Sequence, residues 1–570
     1  MWNIICSLSA LAFKLLFMVS VAQAIVDFLD LQGTKYIFGN VASHTTPIVE
    51  HVSRGQRLKF ISSYHEQAAI LMADGYARAH GAFAVALLSG TNAWFQALPA
   101  FTHAAFDGSP VVLITAEDQM EYRSSRRHLV RTYSEDVGFN QENWSPAIVS
   151  SPHTTIQTLS KALRRVMVGR KEPVHVRIPY NFLSQETAED PSQHTRRESS
   201  DPAALDSGLI RQAAEMLAEA ANPMILLGGG AIWSAASAEA MELADFFFAP
   251  IATSNGKSGM VPDDYPLSVG RLVKPNEVAL QTLAEADVIL VLGCRLGGDA
   301  LGDLSGGLLK SDVKLIQVDI DPHQIAPSQL VQLGIVGDIK LVLRDILACL
   351  KERGAEKWPT RGIQRIQEIS ERKAIWQRQW NRMSRSTESP IQRVRLLKHI
   401  FDEVGPEGVF FGATDWTHGV VTSHFPLVES FQFPIPGANL PLALGAQLAL
   451  PERQVVALLE GDQAMTVLGE IATAVKHQIP ALVVIPRDGP SASGETQLPN
   501  GGGIRVDYSL PNFAEIAQSM GAYSETVENP IHIRPAVRRA LTSQRPSVLE
   551  VVVKSPVEDL QVYLSITGIS

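Results

Sequence analysis

The first chemistry-bearing stretch is Tyr64-His65-Glu66-Gln67-Ala68-Ala69-Ile70-Leu71-Met72-Ala73-Asp74-Gly75-Tyr76-Ala77-Arg78. Glu66 opens a helical pattern whose Ala68, Ala69, Met72, Ala73 and Ala77 form a face of small residues, suited to close packing against a sheet or another subunit. An acid in a first helical turn has an ordinary use in complementing the helix dipole, so position alone does not give Glu66 a chemical role. A second feature is Gly228-Gly229-Gly230, directly after the apolar run Pro223 to Leu227. It is either a phosphate-cradling turn or a plain structural one, and it lacks the GxGxxG spacing of a dinucleotide fingerprint. Cys6, Cys294 and Cys349 are far apart and without CxxC spacing, which argues against a disulfide framework and a thiolate zinc site and fits a reducing compartment.

These residues need a scaffold, and the chain spells one out. Short apolar, β-branched runs recur at Phe83 to Gly90, Pro110 to Ala116, Pro223 to Gly230, Asp287 to Gly293, Lys314 to Asp321, Gln454 to Asp462, Pro480 to Pro486 and Ser547 to Val553, separated by helical stretches. Continuous apolar strands alternating with helices predict parallel sheets covered on both faces, hence α/β architecture repeated three times. Polar stretches at Gln185 to Asp206 and Lys351 to Pro390 divide it; the second predicts an exposed helix whose charge run is a solvated face. With 570 residues, a prior of ~150 per domain gives three to four domains. The formal net charge of −10, without a large basic patch, argues against nucleic acid and anionic membrane as partners.

Residues Ile4 to Val26 are almost wholly apolar and include Ala22-Gln23-Ala24, so a signal peptide and a membrane anchor both stand as alternatives. No basic residue precedes the apolar stretch, and Lys14 sits within it. Val21, Ala24, Ile25, Phe28 and Leu29 share one helical face that ends at Gly33, and cleavage after Ala24 would cut this helix. The expectation is an intracellular, cytoplasmic protein with an apolar extension over 1–20.

The pattern HExxAxxMAxGYAR, with the strand and polar Gly-rich turn after it, resembles the pyrimidine-binding domain of thiamine-diphosphate-dependent enzymes of the acetolactate synthase and 2-oxo-acid decarboxylase superfamily. The resemblance implies three doubly wound α/β domains with mostly parallel sheets: pyrimidine-binding over 21–185, central over 205–350 (ILLGGGA, ADVILVLGCRL, QVDIDP) and, after a linker over 351–390, diphosphate-binding over 391–555. It implies Glu66 as the group that exchanges a proton with the cofactor's aminopyrimidine, with Gln96 and His44 as further polar contacts near the reacting end. It also implies thiamine diphosphate and Mg2+ as cofactors, a small 2-oxo acid or aldehyde as substrate, and a homodimer or homotetramer.

In the third domain the family's Gly-Asp-Gly and Asn-Asn are altered to Gly461-Asp462-Gln463 and Arg487-Asp488. A diphosphate held without basic side chains needs a hard cation with oxygen ligands, for which the resemblance points to Asp462, Asp488 and the carbonyl of Pro490. Asp488 where the family has an amide adds a negative charge that Arg487 is placed to offset. Gly461, Gln463, Gly437 and Ile435 are the implied cofactor-binding residues, with Ile435 or Pro436 as the wedge beneath the thiazolium ring. Gly293-Cys294-Arg295-Leu296-Gly297-Gly298-Asp299 lacks the family's flavin pattern, which speaks against FAD. Two function classes stand: an enzyme cleaving or forming a carbon–carbon bond next to a carbonyl, and a non-catalytic scaffold or regulatory member with a degenerate cofactor site.

Overall fold

The computed structural model describes residues 18–117, 146–194, 205–254, 259–262, 264–272, 276–296, 309–310, 312–325, 331–352, 359–412, 435–488, 494–497, 503–506 and 510–554. They fall into two compact units, one holding the chain up to Ser199 with Leu444–Ala449, the other holding the remainder.

In the first unit, α1 (Val21–Leu31) buries the expected face, with Ala24, Ile25 and Phe28 fully inaccessible, and Gly33 after it takes a left-handed φ of +79°. Burying a side chain the size of Phe28 contributes about 2–3 kcal/mol. The short strand Val19–Ser20 before α1 pairs antiparallel with Glu186–Thr187. Six parallel strands follow: β1 (Tyr36–Gly39), β2 (Lys59–Ser62), β3 (Ala84–Ser89), β4 (Val111–Glu117), β5 (Ala147–Ile148) and β6 (Val174–Pro179), in the order β2-β1-β3-β4-β6-β5. All seven residues of β4 are buried, as expected of a strand covered on both faces. The chain reverses direction between β1 and β3, and the crevice at the carboxyl ends of such neighbours is where open α/β sheets take ligands.

Two helices flank that crevice. α2 (Glu66–His80) follows β2, begins at the N-cap His65, whose ring accepts from the Gln67 N–H at 3.1 Å, and stops at the left-handed Gly81. Its small face, Ala68, Ala69, Met72, Ala73 and Ala77, is buried throughout. α3 (Gly90–Asp107) leaves β3 with no intervening loop because Gly90 adopts φ +77°.

Between them lies a buried charge cluster. Arg78 binds the fully buried Asp74 at 2.6 Å and, across to α3, Asp107 at 2.7 Å, and His103 stands 3.6 Å from Asp74. Burial opposes the Arg78 charge, but the two carboxylates outweigh it and hold the guanidinium above its ordinary pKa.

The second unit contains two parallel sheets. In the central one, β7 (Pro223–Leu227), β8 (Ile251–Thr253), β9 (Ser268–Arg271), β10 (Val288–Leu292), β11 (Lys314–Asp319) and β12 (Val331–Val336) run in the order β9-β8-β7-β10-β11-β12. The glycine cluster has a structural use here. A Cβ on Gly228 would lie 2.3 Å from the Gly293 carbonyl oxygen, and the Gly228 and Gly230 N–H groups donate to the Leu292 and Gly293 carbonyls. The glycines thus let two strand-end turns touch.

The polar stretch after the central sheet forms α4 (Pro359–Met383), a helix as expected, but its charge run is more than a solvated face. Arg365 donates to the carbonyls of Phe248 and Ala221 at 3.1 Å and to Asn222, Arg372 pairs with Glu285 at 2.8 Å, and Ile369 is buried. Two arginines, two turns apart on one face, dock the helix on the central domain.

The other sheet has β13 (Val409–Phe411), β14 (Val455–Leu458), β15 (Leu482–Asp488), β18 (Tyr523–Val527) and β19 (Ser547–Val553) in the order β13-β14-β15-β19-β18, all parallel. The antiparallel pair β16 (Gly494–Gln497) and β17 (Gly503–Val506) stands apart from it. Each of the eight apolar runs named above contains a strand of one of these three sheets. Among the described residues no helix is long and apolar enough to cross a membrane; residues 1–17 of the apolar extension lie outside the described residues.

Removing the cation from the cluster between α2 and α3 leaves two buried carboxylates unneutralised. Arg78→Met is therefore expected to destabilise the first unit by about 3–5 kcal/mol, read as a lower urea midpoint, and an unchanged midpoint would refute this role of the cluster.

Candidate active site

At the carboxyl edge of the first sheet the register sets the geometry. Gly39 pairs with Leu87 on β3 and with Ser62 on β2. A Cβ on Gly39 would sit 2.1 Å from the Leu87 carbonyl oxygen, so only glycine lets β1 approach β3 here. The next residue, Asn40, therefore emerges beside the loop Ser63 to His65, and its Nδ2 donates to Glu66 Oε1 at 2.7 Å. Ser63 closes that loop by donating to the His65 carbonyl at 2.9 Å. Glu66 is half-buried on the first turn of α2, and no cationic side chain pairs with it among the described residues.

His44 lies on the same edge. Its ring stacks on Tyr180, 4.5 Å between centroids, and its Nδ1 is 3.8 Å from where a Gly90 Cβ would stand. Gln96 is exposed on α3, two residues after Trp94. Trp94 stacks at 4.4 Å on His175, which bonds Thr115 at 2.9 Å. Glu117, at the end of β4, takes both arms of Arg177 at 2.8 and 2.7 Å and accepts from Thr115 at 3.1 Å. Burial, assisted by Arg177 and opposed by Glu117, pushes His175 down to about 3, so it is a neutral ring supporting the first turns of α3.

The third domain brings a second set together. Gly461, Asp462 and Gln463 open the short helix α5 (Gly461–Met465) directly after β14, and the turn Ile435-Pro436-Gly437 lies against it. Thr466 Oγ1 donates to the carbonyls of Pro436 at 3.1 Å and Gln463 at 2.7 Å. A Cβ on Gly437, which has φ +79°, would meet Thr466 Oγ1 at 2.6 Å and the Gln463 carbonyl oxygen at 2.8 Å. Asp462 is exposed, and its Oδ1 accepts only from the Gln463 N–H among the described hydrogen bonds, at 2.8 Å. Ile435 is half-buried and Pro436 exposed.

Asp488 ends β15, the neighbour of β14; its side chain and the whole of Pro490 lie outside the described residues. So does the whole of 297–308, where the later part of the flavin reading falls. The charge expected to offset Asp488 has another duty: Arg487 Nε is 2.9 Å from Glu550, which is completely buried and also accepts from the Phe513 N–H and from Thr526. Arg393 likewise binds Glu460, the residue before Gly461, at 2.7 Å.

Each edge can be tested against a thiamine diphosphate ligand on its own residues. Asn40 Oδ1 is buried with no hydrogen-bond partner among the described residues, an acceptor that suits a ring with N–H donors. The third-domain edge offers an exposed carboxylate and glycine-shaped turns while its neighbouring arginines are committed to glutamates, which suits a diphosphate carried with an oxygen-preferring cation. Sequence reasoning missed Asn40, Glu117, Arg177, His175 and Glu550. For Asn40 the available signal was its place immediately after a strand-end glycine.

The comparisons with known proteins agree with this division. Three thiamine pyrophosphate (that is, thiamine diphosphate) enzyme models match in order: the N-terminal TPP binding domain over 19–141, the central domain over 210–346 and the C-terminal TPP binding domain over 416–551. The chain is 26% identical to the probable acetolactate synthase large subunit of Methanocaldococcus jannaschii over 95% of this chain and 92% of that protein. It is 25% identical to the acetolactate synthase isozyme 1 large subunit of Escherichia coli, over 93% of both. Against the putative thiamine pyrophosphate-containing protein YdaP of Bacillus subtilis the identity is 24%, over 93% and 91%.

The support under α3 has a pH signature. Below pH 6.5 the unfolded chain protonates His175 while the folded chain, at about 3, does not, so this group's contribution falls as pH drops through that window. Wild type should outlast His175→Gln at pH 7.5, and the gap should shrink by about 2 kcal/mol at pH 5. A gap that is the same at both values in denaturant titrations would contradict the assignment.

Proposed function

The chain belongs to the thiamine pyrophosphate enzymes, and on that footing we propose that it forms or cleaves a carbon–carbon bond next to a carbonyl, with thiamine diphosphate and Mg2+, on a small 2-oxo acid or aldehyde. The observation that carries this reading is Glu66, a carboxylate at a topological switch point, held by an amide rather than a cation. When bound, the cofactor supplies a carbon nucleophile and an electron sink. Glu66 exchanges a proton with the aminopyrimidine ring nitrogen, acting as general acid and base. Gln96 and His44 contact the reacting groups. Ile435 and Gly437 would shape the turn facing the cofactor, Gly461 and Gln463 would flank its diphosphate, and Asp462, Asp488 and the Pro490 carbonyl would hold the cation.

The similarity to acetolactate synthases, at about a quarter identity, favours ligation of two carbonyl compounds over release of an aldehyde. A homodimer or homotetramer inside the cell, without flavin, belongs to the same reading; the scattered cysteines support the compartment.

Purified protein should carry thiamine diphosphate detectable by mass and by fluorescence after oxidation, dependent on Mg2+. Glu66→Gln should lose turnover by about 100-fold or more while cofactor affinity stays within a few-fold, because the amide keeps size and removes the proton relay. Full activity in that variant would sink the mechanism, and failure to bind cofactor at all would favour the scaffold reading.

Metal ligation predicts a separate pattern in calorimetric titrations of cofactor with Mg2+. Asp462→Ala should weaken binding by about tenfold or more and Asp488→Ala should weaken it less, whereas Asp488→Asn, which keeps an oxygen donor, should be tolerated. Unchanged affinity in both alanine variants would make these ordinary turn residues.

A further inference from the structure

The Glu66 carboxylate has two oxygens, and the fold treats them differently. Oε1 receives the Asn40 amide at 2.7 Å, and Asn40 is itself held in place. It follows Gly39, which is fixed against β3 by its lack of a side chain, and its carbonyl accepts from Thr45 Oγ1 at 3.1 Å. Thr45 is completely buried, and its hydroxyl also accepts from the Ala42 N–H at 3.0 Å, closing the loop on itself. The other end of the Asn40 amide, Oδ1, is buried with no hydrogen-bond partner among the described residues. The amide is thus anchored by its backbone and committed through its Nδ2 to one oxygen of the carboxylate.

We propose that Asn40 is a positioning residue for proton exchange at Glu66. Its Nδ2 fixes Oε1, which leaves Oε2 as the oxygen that hands a proton to, and takes it back from, the ring nitrogen of the bound aminopyrimidine. The inference rests on the functional reading of Glu66. Without the amide the carboxylate turns freely about its terminal bond, and correct alignment of donor and acceptor is lost for most of the time.

The test uses full-length protein loaded with thiamine diphosphate and Mg2+, in Asn40→Ala, the near-isosteric Asn40→Leu, Glu66→Gln and the Asn40→Ala/Glu66→Gln double variant. Exchange of the cofactor's thiazolium C2 proton for deuterium, followed by NMR after acid quench, should slow about tenfold or more in both Asn40 variants. Cofactor affinity should stay within about threefold and KM within about twofold, and the double variant should be no slower than Glu66→Gln, since both changes remove one function. Exchange within twofold of wild type in whichever Asn40 variant melts normally overturns the proposal. So does a loss accounted for by weaker cofactor binding, or an additive double variant. If Glu66→Gln itself exchanges at the wild-type rate, the reading of Glu66 has failed instead.

Discussion

A carboxylate at the end of a buried strand or helix is costly unless something neutralises it, and this chain meets that constraint with arginines. Arg78 serves Asp74 and Asp107, Arg177 serves Glu117, Arg393 serves Glu460 and Arg487 serves Glu550. The Arg177, Arg393 and Arg487 pairs each tie two elements at the carboxyl edge of a sheet, while Arg78 ties α2 to α3 near their C-terminal ends. Glu66 and Asp462 differ from these pairs, because their described hydrogen bonds come from an amide side chain and a backbone N–H, neither of which cancels charge. A carboxylate that must take up a proton, or bind a cation brought by a ligand, is useful only if no resident arginine already holds it.

The scaffold follows from parallel pairing. Strands that all point one way put every strand end on one edge, and helices that leave those ends begin there too. Two glycines set how closely the parts meet. Gly39 lets β1 and β3 converge so that Asn40 reaches Glu66, and Gly437 lets the Ile435 turn rest on the helix that starts at Gly461. Neither effect is visible in local propensity, since both depend on a neighbour distant in sequence.

That distinction explains what the residues revealed on their own. The alternating apolar runs gave the strands and the α/β class because burial on both faces dictates composition directly. The HExxAxxMAxGYAR pattern located Glu66 and its small-residue helix face. The support of Trp94 by His175 and the docking of α4 through Arg365 were not legible, because each pairs residues that only tertiary structure brings together; the cap role of His65 is local but falls to a residue type outside the usual Ser, Thr, Asp and Asn caps. Asn40 was hidden for the same reason, lying 26 positions from its partner. The partner of Arg487 was not legible either: the parallel register of β15 and β19 places Glu550 beside Ile485 and within reach of Arg487.

The altered third-domain motif also looks different in three dimensions. Gln463, standing where relatives have glycine, lies inside an ordinary helical turn, and the left-handed conformations near it belong to Gly437, so a side chain at 463 strains nothing. The close approach that demands glycine occurs at Gly437, whose Cβ would strike Gln463's own carbonyl oxygen. Arg487, for its part, neutralises a glutamate sealed beneath the strand and contributes no net charge to the edge above. Departure from the family pattern therefore leaves this edge with its carboxylate exposed, its turn unstrained and its arginines occupied. Those conditions suit a diphosphate carried with an oxygen-preferring cation.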